Sequence, residues 1–405
     1  MSGPVKFPST SGAAQERLTR FLQNGLSDYA VKRNYVSDSL REVSRLSPAV
    51  RHRIITEYEL VERAIATEGL ERCEQFCQEV YWRLFWKGFL EYRPGLWSDW
   101  LDSLNTFSDQ QLEQASAIEN GKSGVAIMDA FSRQLVETGY LHNHARMWFA
   151  AFWIHTLRLP WQAGARFFYT HLLDGDPASN TLSWRWVAGL HTRGKQYLVR
   201  QSNIEKYVDP DFYAANQKGI GRLADSRAEP APIAFHELPD RISLPSFPEE
   251  IPVEIEETGV WLHEDDVSFE DSPLSGVKAK AVFISSSCRS LEELPLSRCR
   301  DHYLDQVFDD LASRVESFYR VPVTRESGPN FEDDLCKWIA ENGIKALCYV
   351  EPFVGPAKDA IKSASPLLDG KGIIQFPLRR GKDQKVLPLA KSGFFGFWKK
   401  LKLHQ

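Results

Sequence analysis

Long apolar runs are missing from this 405-residue chain. No stretch of about 18 apolar residues occurs, so no membrane-spanning helix is expected. The first ten residues, MSGPVKFPST, lack the apolar centre of a secretory signal, and a cytoplasmic protein is expected, with an organelle or the nucleus left open. Cysteine is scarce, with six residues at 73, 77, 288, 299, 336 and 348. They form no CxxC pair and no zinc-like spacing, which excludes a disulfide framework and predicts reduced thiols. Cys73 and Cys77 lie one helical turn apart and read as packing. There is no GxGxxG or Walker loop, so nucleotide binding by those devices is unsupported. A basic excess is absent too: the net charge is −5. That argues against a uniform nucleic-acid coat but leaves room for a local basic groove. Strand-like stretches are absent up to about residue 215.

What is present begins with helical periodicity. Residues 14–24 space their apolar positions for a helix. Ser44-Arg45-Leu46-Ser47-Pro48 has the serines and proline of a helix start. Such a start offers free N–H groups to an anion, although plain capping explains it equally. Residues 56–92 read as two helices. On the second, Glu79, Trp82, Arg83 and Trp86 sit at i, i+3, i+4 and i+7 and share one face. That mixture suits either a buried salt bridge among aromatics or a site. Further helices are expected at 123–138, 140–158 and 161–173.

Residues 226–275 carry 13 acidic groups against two basic ones, with seven prolines, and read as an acidic linker. Beyond it the period changes. Strands at 278–286, 320–325, 345–350 and 373–378 alternate with helices at 304–319, 331–342 and 357–368. This predicts a small, mostly parallel α/β domain over 276–405, after an all-α domain over 1–225. The basic, aromatic tail FFGFWKKLKLHQ reads as a docked terminal helix.

Between Gly139 and Gly189 stand five of the chain's twelve tryptophans, Trp148, Trp153, Trp161, Trp184 and Trp186. Asp174, Asp176, Ser179 and Asn180 lie among them. Aromatic surface beside convergent polar groups points to a flat, polar ligand. His142 and His144 alternate on a helix with no third ligand in view, so no metal site is expected.

The run DGDPASNTLSWRW at 174–186 resembles the flavin-binding signature of the cryptochrome/photolyase family. SRLSP at 44–48, QEVYWR at 78–83 and HNHARM at 142–147 are similar to other segments of that family, in the same order. The resemblance covers roughly residues 7–210 and implies an all-α FAD-binding domain of photolyase type. It implies that Tyr29 and Ser44, Arg45, Leu46 and Ser47 hold the FAD phosphates. It places Asn143, Arg146, Asp174 and Asp176 around the rings, with Asn180 facing flavin N5. Glu79, Trp82, Arg83, Asn143, Met147 and Trp186 resemble residues that receive a flipped pyrimidine dimer. Indoles would stack on the lesion, and a carboxyl at Glu79 would act at the pyrimidine edge. Trp184 and Trp161 resemble the first two members of an electron-transfer chain. The third falls near Ser108 and Asp109, where Trp100, Trp97, Trp86 or Trp153 would have to substitute.

Family members usually place an α/β antenna domain before the FAD domain; here it follows, as in a short or rearranged branch. No antenna chromophore is assigned. The resemblance implies blue-light-driven repair of cyclobutane pyrimidine dimers, with damaged DNA, single- or double-stranded, as partner to a monomeric enzyme. A cryptochrome-like photoreceptor without repair is the alternative.

Overall fold

The computed structural model describes residues 7–37, 43–192, 194–251, 256–326, 328 and 330–403. Thr10 opens the first helix by accepting from the Ala13 amide, and thirteen helices follow one another. They are α1 (Ser11–Asn24), α2 (Tyr29–Lys32), α3 (Ser47–Arg51), α4 (Glu57–Glu68), α5 (Leu70–Glu91), α6 (Gly95–Ser103) and α7 (Asp109–Glu119). Next come α8 (Ala126–Thr138), α9 (Asn143–Ala151), α10 (Trp161–His171), α11 (Pro177–Val187), α12 (Gln201–Tyr207) and α13 (Pro210–Ala215). A π-helical turn, Phe152–Thr156, extends α9.

The break between α4 and α5 is Gly69, whose φ of +77° only glycine adopts without cost. Thereafter α5 runs for 22 residues and buries Phe76, Tyr81, Leu84, Phe85 and Trp86. α10 and α11 pack so closely that a Cβ on Gly164 would lie 2.4 Å from the Trp184 ring.

The second half is a five-stranded sheet: β1 (Thr258–His263), β2 (Ala281–Ser285), β3 (Val323–Glu326), β4 (Ala346–Val350) and β5 (Ile374–Leu378). All neighbours are parallel, in the order β3-β2-β1-β4-β5. Helices α14 (Arg298–Tyr319), α15 (Phe331–Asn342), α16 (Pro356–Gly370) and α17 (Gly381–Val386) accompany the strands, and α18 (Phe394–Lys402) ends the described chain. The all-α half followed by a small parallel α/β unit is the predicted fold class. Among the described residues no helix is long and apolar enough to cross a membrane. The tail is a docked helix, as expected, with Phe394, Phe397, Trp398 and Leu401 buried.

Two expectations are corrected. The linker over 226–275 is too long: its last part contains β1, the central strand, buried at every position. Acidic and proline-rich neighbours hid a six-residue strand whose partners are all distant in sequence. Only residues 226–251 have the extended, largely exposed character of a strap. The SRLSP helix start is also different. Leu46 holds the N-cap position of α3, no side chain caps it, and the helix has five residues. It offers no built anion site of its own.

The two halves interlock through complementary triplets. Arg51, which ends α3, and the next two residues, His52 and Arg53, are all buried and reach the residues after β1. Arg51 Nη1 donates to Asp265 at 2.7 Å, and His52 Nδ1 meets the Glu264 carbonyl at 2.7 Å. Arg53 binds Asp266 at 3.1 Å and Asp383 at 2.7 Å. In doubly wound sheets ligands usually settle beyond the carboxyl ends of the strands where the order reverses. Here that reversal lies between β1 and β4, and the helical half's own arginines reach the end of β1.

Candidate functional site

The loop from Leu172 into α11 carries the two aspartates of the 174–186 motif. Asp176 takes the N-cap position, its Oδ1 accepting from the Ser179 amide at 2.7 Å, with Pro177 in the first turn. That capping geometry is strongly preferred by aspartate and fixes the loop in place. Asp174, Asp176 and Asn180 are all buried. Arg146, from α9, binds Asp174 at 3.0–3.1 Å. Arg83, from α5, lies 3.8 Å from Asp174 and 3.6 Å from Asp176. Arg51 Nε stands 3.8 Å from Asp176.

Burial alone would raise the carboxyl pKa values. For Asp176 the charges of Arg83, Lys87 and Arg51 outweigh it and hold the group at about 2. Asp174 is likewise held below the usual carboxylate range, against burial, by Arg146 and Arg83. Both aspartates are therefore ionised at neutral pH. Three arginines thus face two carboxylates, a polar cluster inside an aromatic bundle.

Arg83 Nη1, Arg51 Nη2 and Ser179 Oγ are buried without a hydrogen-bond partner in the protein. Unsatisfied buried groups are expensive and uncommon, and their concentration around Asp176 suits a polar ligand. Asn180 donates through Nδ2 to the Ala165 carbonyl at 2.9 Å, which leaves its oxygen as the end free to accept. These features fit the polar edge of a flavin.

The remaining predicted residues are dispersed. Tyr29 packs its ring on Phe21 and Phe76. Ser44 Oγ accepts from the Leu46 amide at 3.3 Å, and Arg45 has the left-handed φ of +53°. Ser47 lies inside α3 rather than before it. Asn143 is exposed, and Met147 one turn on lies beside it, with Nδ2 4.0 Å from Sδ.

The shared face expected for α5 splits. Arg83 turns to the aspartates. Glu79 turns to Arg33 at 2.5 Å and accepts from Gln75 at 3.1 Å. Burial raises the Glu79 pKa, with Arg33 opposing. Trp82 stacks on Phe394, ring centroids 3.9 Å apart and planes at 9°, and leans on Trp86 at 5.1 Å. One face of the indole expected to meet a lesion is therefore taken by the protein itself. Trp186 is half-buried against Tyr197, centroids 5.9 Å apart.

Of the tryptophans, Trp184 is buried, 5.0 Å from Phe168 and edge-on to Trp153 at 6.3 Å. Trp161 starts α10 under the Arg185 guanidinium, 5.7 Å from its ring. Trp161 and Trp100 both line a cavity of about 780 Å³. Ser108, near the expected third position, is instead the N-cap of α7 with a complete capping box. Among the candidates to replace a third tryptophan, Trp153 touches Trp184, whereas Trp86 belongs with Trp82. His142 caps α9 by accepting from the His144 amide, and burial lowers its pKa to about 3. Among the described residues no three His, Cys, Asp or Glu side chains group to hold a metal.

Two participants carried no signal in the sequence. Arg51 and Arg300 both donate to the Gly175 carbonyl, at 3.1 and 2.8 Å, and Arg300 also reaches the Tyr169 carbonyl. Arg300 belongs to α14, so the second half of the chain clamps the loop between the two aspartates.

Residues 76–213 match the model of the FAD-binding domain of DNA photolyase. The chain is 35% identical over 181 residues to a deoxyribodipyrimidine photo-lyase of Streptomyces griseus, covering 44% of this chain and 39% of the relative. It is 32% identical over 200 residues to the deoxyribodipyrimidine photo-lyase of Escherichia coli K12, covering 47% and 42%. A crystal structure of a bacterial class III photolyase from Agrobacterium tumefaciens aligns with a TM-score of 0.43 at 29% identity, over 53% of this chain and 44% of that one. The chain thus spans about two fifths of the length of these curated relatives. Within the helical half, then, residues 76–213 are similar to the FAD-binding domain of DNA photolyase, a domain whose cofactor is FAD.

Proposed function

We propose that this protein repairs cyclobutane pyrimidine dimers in DNA under blue light. The observation that carries the reading is the arginine-lined Asp174–Asp176 loop with its unsatisfied buried donors, met by Arg83 of α5, which follows Glu79 by one helical turn and Trp82 by one residue. Arg146, Asp174, Asp176 and Asn180 would hold the isoalloxazine and its sugar side, with Tyr29 and residues 44–47 toward the phosphates. Bound there, reduced FAD supplies the light-driven electron that opens the cyclobutane ring and is returned afterwards.

The chain's own residues do the rest. Arg83 keeps both aspartates ionised, with Arg146 beside Asp174 and Lys87 and Arg51 beside Asp176, so their hydrogen-bond acceptors stay fixed. Asn180 is oriented by Ala165 and presents its oxygen. Glu79, with its pKa raised by burial, keeps a proton to higher pH than a free glutamate and can share it with a pyrimidine carbonyl once Arg33 gives way. Trp82 and Trp186 supply apolar faces for a base pair already unstacked by damage. Trp184, with Trp161 or Trp153 behind it, recharges the site.

A photoreceptor without repair is the second reading. It is favoured by the capping serine that stands at the expected place of the third tryptophan. The test is a repair assay. Purified, flavin-reduced protein is mixed with a dimer-containing oligonucleotide and kept in blue light or darkness. Repair predicts light-dependent loss of dimers. Bound, photoreducible flavin with no loss would support the photoreceptor, and absence of flavin would overturn both.

A further inference from the structure

The basic, aromatic C-terminal helix has no part in the reading so far, yet it is tied to the substrate side of α5. Trp398 Nε1 donates to Glu74 at 2.9 Å, and Lys402 binds the same oxygen at 2.7 Å. Phe397 packs on Phe85 at 5.6 Å, and Phe394 stands edge-on to Phe85 at 5.8 Å. This anchoring lays the Phe394 ring flat on the Trp82 indole. Trp86 leans against the indole and Phe85 meets it edge-on at 5.5 Å. Trp82 nevertheless stays partly exposed while Phe394, Phe85 and Trp86 are buried. An indole held by three rings has lost its rotamer freedom before any ligand arrives.

We propose that Phe394 is a positioning residue for Trp82. By stacking on one face it fixes the indole with its other face toward the lesion, so that part of the substrate wall is supplied from the far end of the chain. The inference rests on the repair reading above. Its physical basis is preorganisation: a side chain already immobilised loses little entropy when a base stacks on it. A flat aromatic backing also adds to what area burial alone contributes.

The experiment uses the full-length, flavin-loaded protein. Dissociation constants are measured for an oligonucleotide with a single thymine dimer and for its undamaged counterpart. Phe394→Leu keeps an apolar side chain and removes the ring; Phe394→Tyr keeps the ring. The Leu variant should bind the dimer about five- to tenfold more weakly, with flavin content and undamaged-DNA affinity unchanged at a temperature where the variant is fully folded. The Tyr variant should restore dimer affinity. Dimer binding equal to wild type in Phe394→Leu would overturn the proposal. Tighter dimer binding would overturn it as well, since α18 would then be a cover that competes with the lesion. If the wild-type protein itself fails to distinguish the dimer from undamaged DNA, the repair reading falls and this inference falls with it.

Discussion

Asp176 combines three tasks at one residue. It caps α11, faces Arg83 and Arg51, and closes the loop whose carbonyl Arg51 and Arg300 hold. Removing one partner from a buried charge cluster leaves the others uncompensated, which costs about 3–5 kcal/mol. Asp176→Ala should therefore lower unfolding free energy by that amount and abolish flavin retention. Asp176→Asn keeps an acceptor for the Ser179 amide and should cost about 1 kcal/mol less, the usual worth of a cap. Denaturant titration with the absorbance of the bound flavin as second probe checks both. A loss under about 1 kcal/mol in the Ala variant would mean that the arginines find other partners.

Elements place these residues, and α10 packs closely against α11. Gly164 is the point of contact: a methyl there would meet the Trp184 ring at 2.4 Å. Gly164→Ala should push the indole aside, destabilise by about 1–3 kcal/mol and slow photoreduction of the bound flavin. Photoreduction at the wild-type rate would remove Trp184 from the electron path. Much at this scale was legible in the sequence. The α5 and α8–α10 helices follow from apolar spacing, whereas α11 and its Asp176 cap are not read from it. What was not legible is long-range. β1 is six residues whose partners lie at 281–285 and 346–349, and no local pattern encodes that pairing. The split of the α5 face depends on what arrives from elsewhere: Asp174 and Asp176 draw Arg83, Arg33 draws Glu79, and Phe394 covers Trp82. Periodicity put the four residues on one face correctly but carried no information about those visitors. Arg51 and Arg300 carry no local signal because the carbonyl they share, that of Gly175, lies more than a hundred residues from each.

Across the whole molecule, burial keeps histidines neutral. His52 and His142 are lowered to about 3, and His171 and His191 to about 4, each chiefly by burial. An unfolded histidine titrates at about 6.5. Between those values the unfolded chain binds more protons than the folded one, so stability falls as pH drops. A second loss follows lower down. Asp176, at about 2, and Asp174, Asp265, Asp266 and Asp383, all lowered, stabilise the fold above the unfolded value of about 3.9 and lose that contribution as pH falls through their own range. Melting temperature should be level from about pH 8 to 7, decline below about 6.5 and drop more steeply below about 4. A level profile down to about pH 5 would mean that these histidines are already charged in the folded protein.

The joint between the halves has a further consequence. Arg51, His52 and Arg53 meet Glu264, Asp265 and Asp266 directly, and Arg300 reaches back to the flavin loop. The strap over 226–251 contributes few of these contacts and is mostly exposed. Cohesion thus resides in the joint, and the covalent connection serves as a tether that raises local concentration. Seen this way, the order in which the two halves are strung along a chain is nearly free, because any connection that spans the gap preserves the same joint. A protease nick in the strap would leave two pieces that still migrate as one particle and still hold flavin.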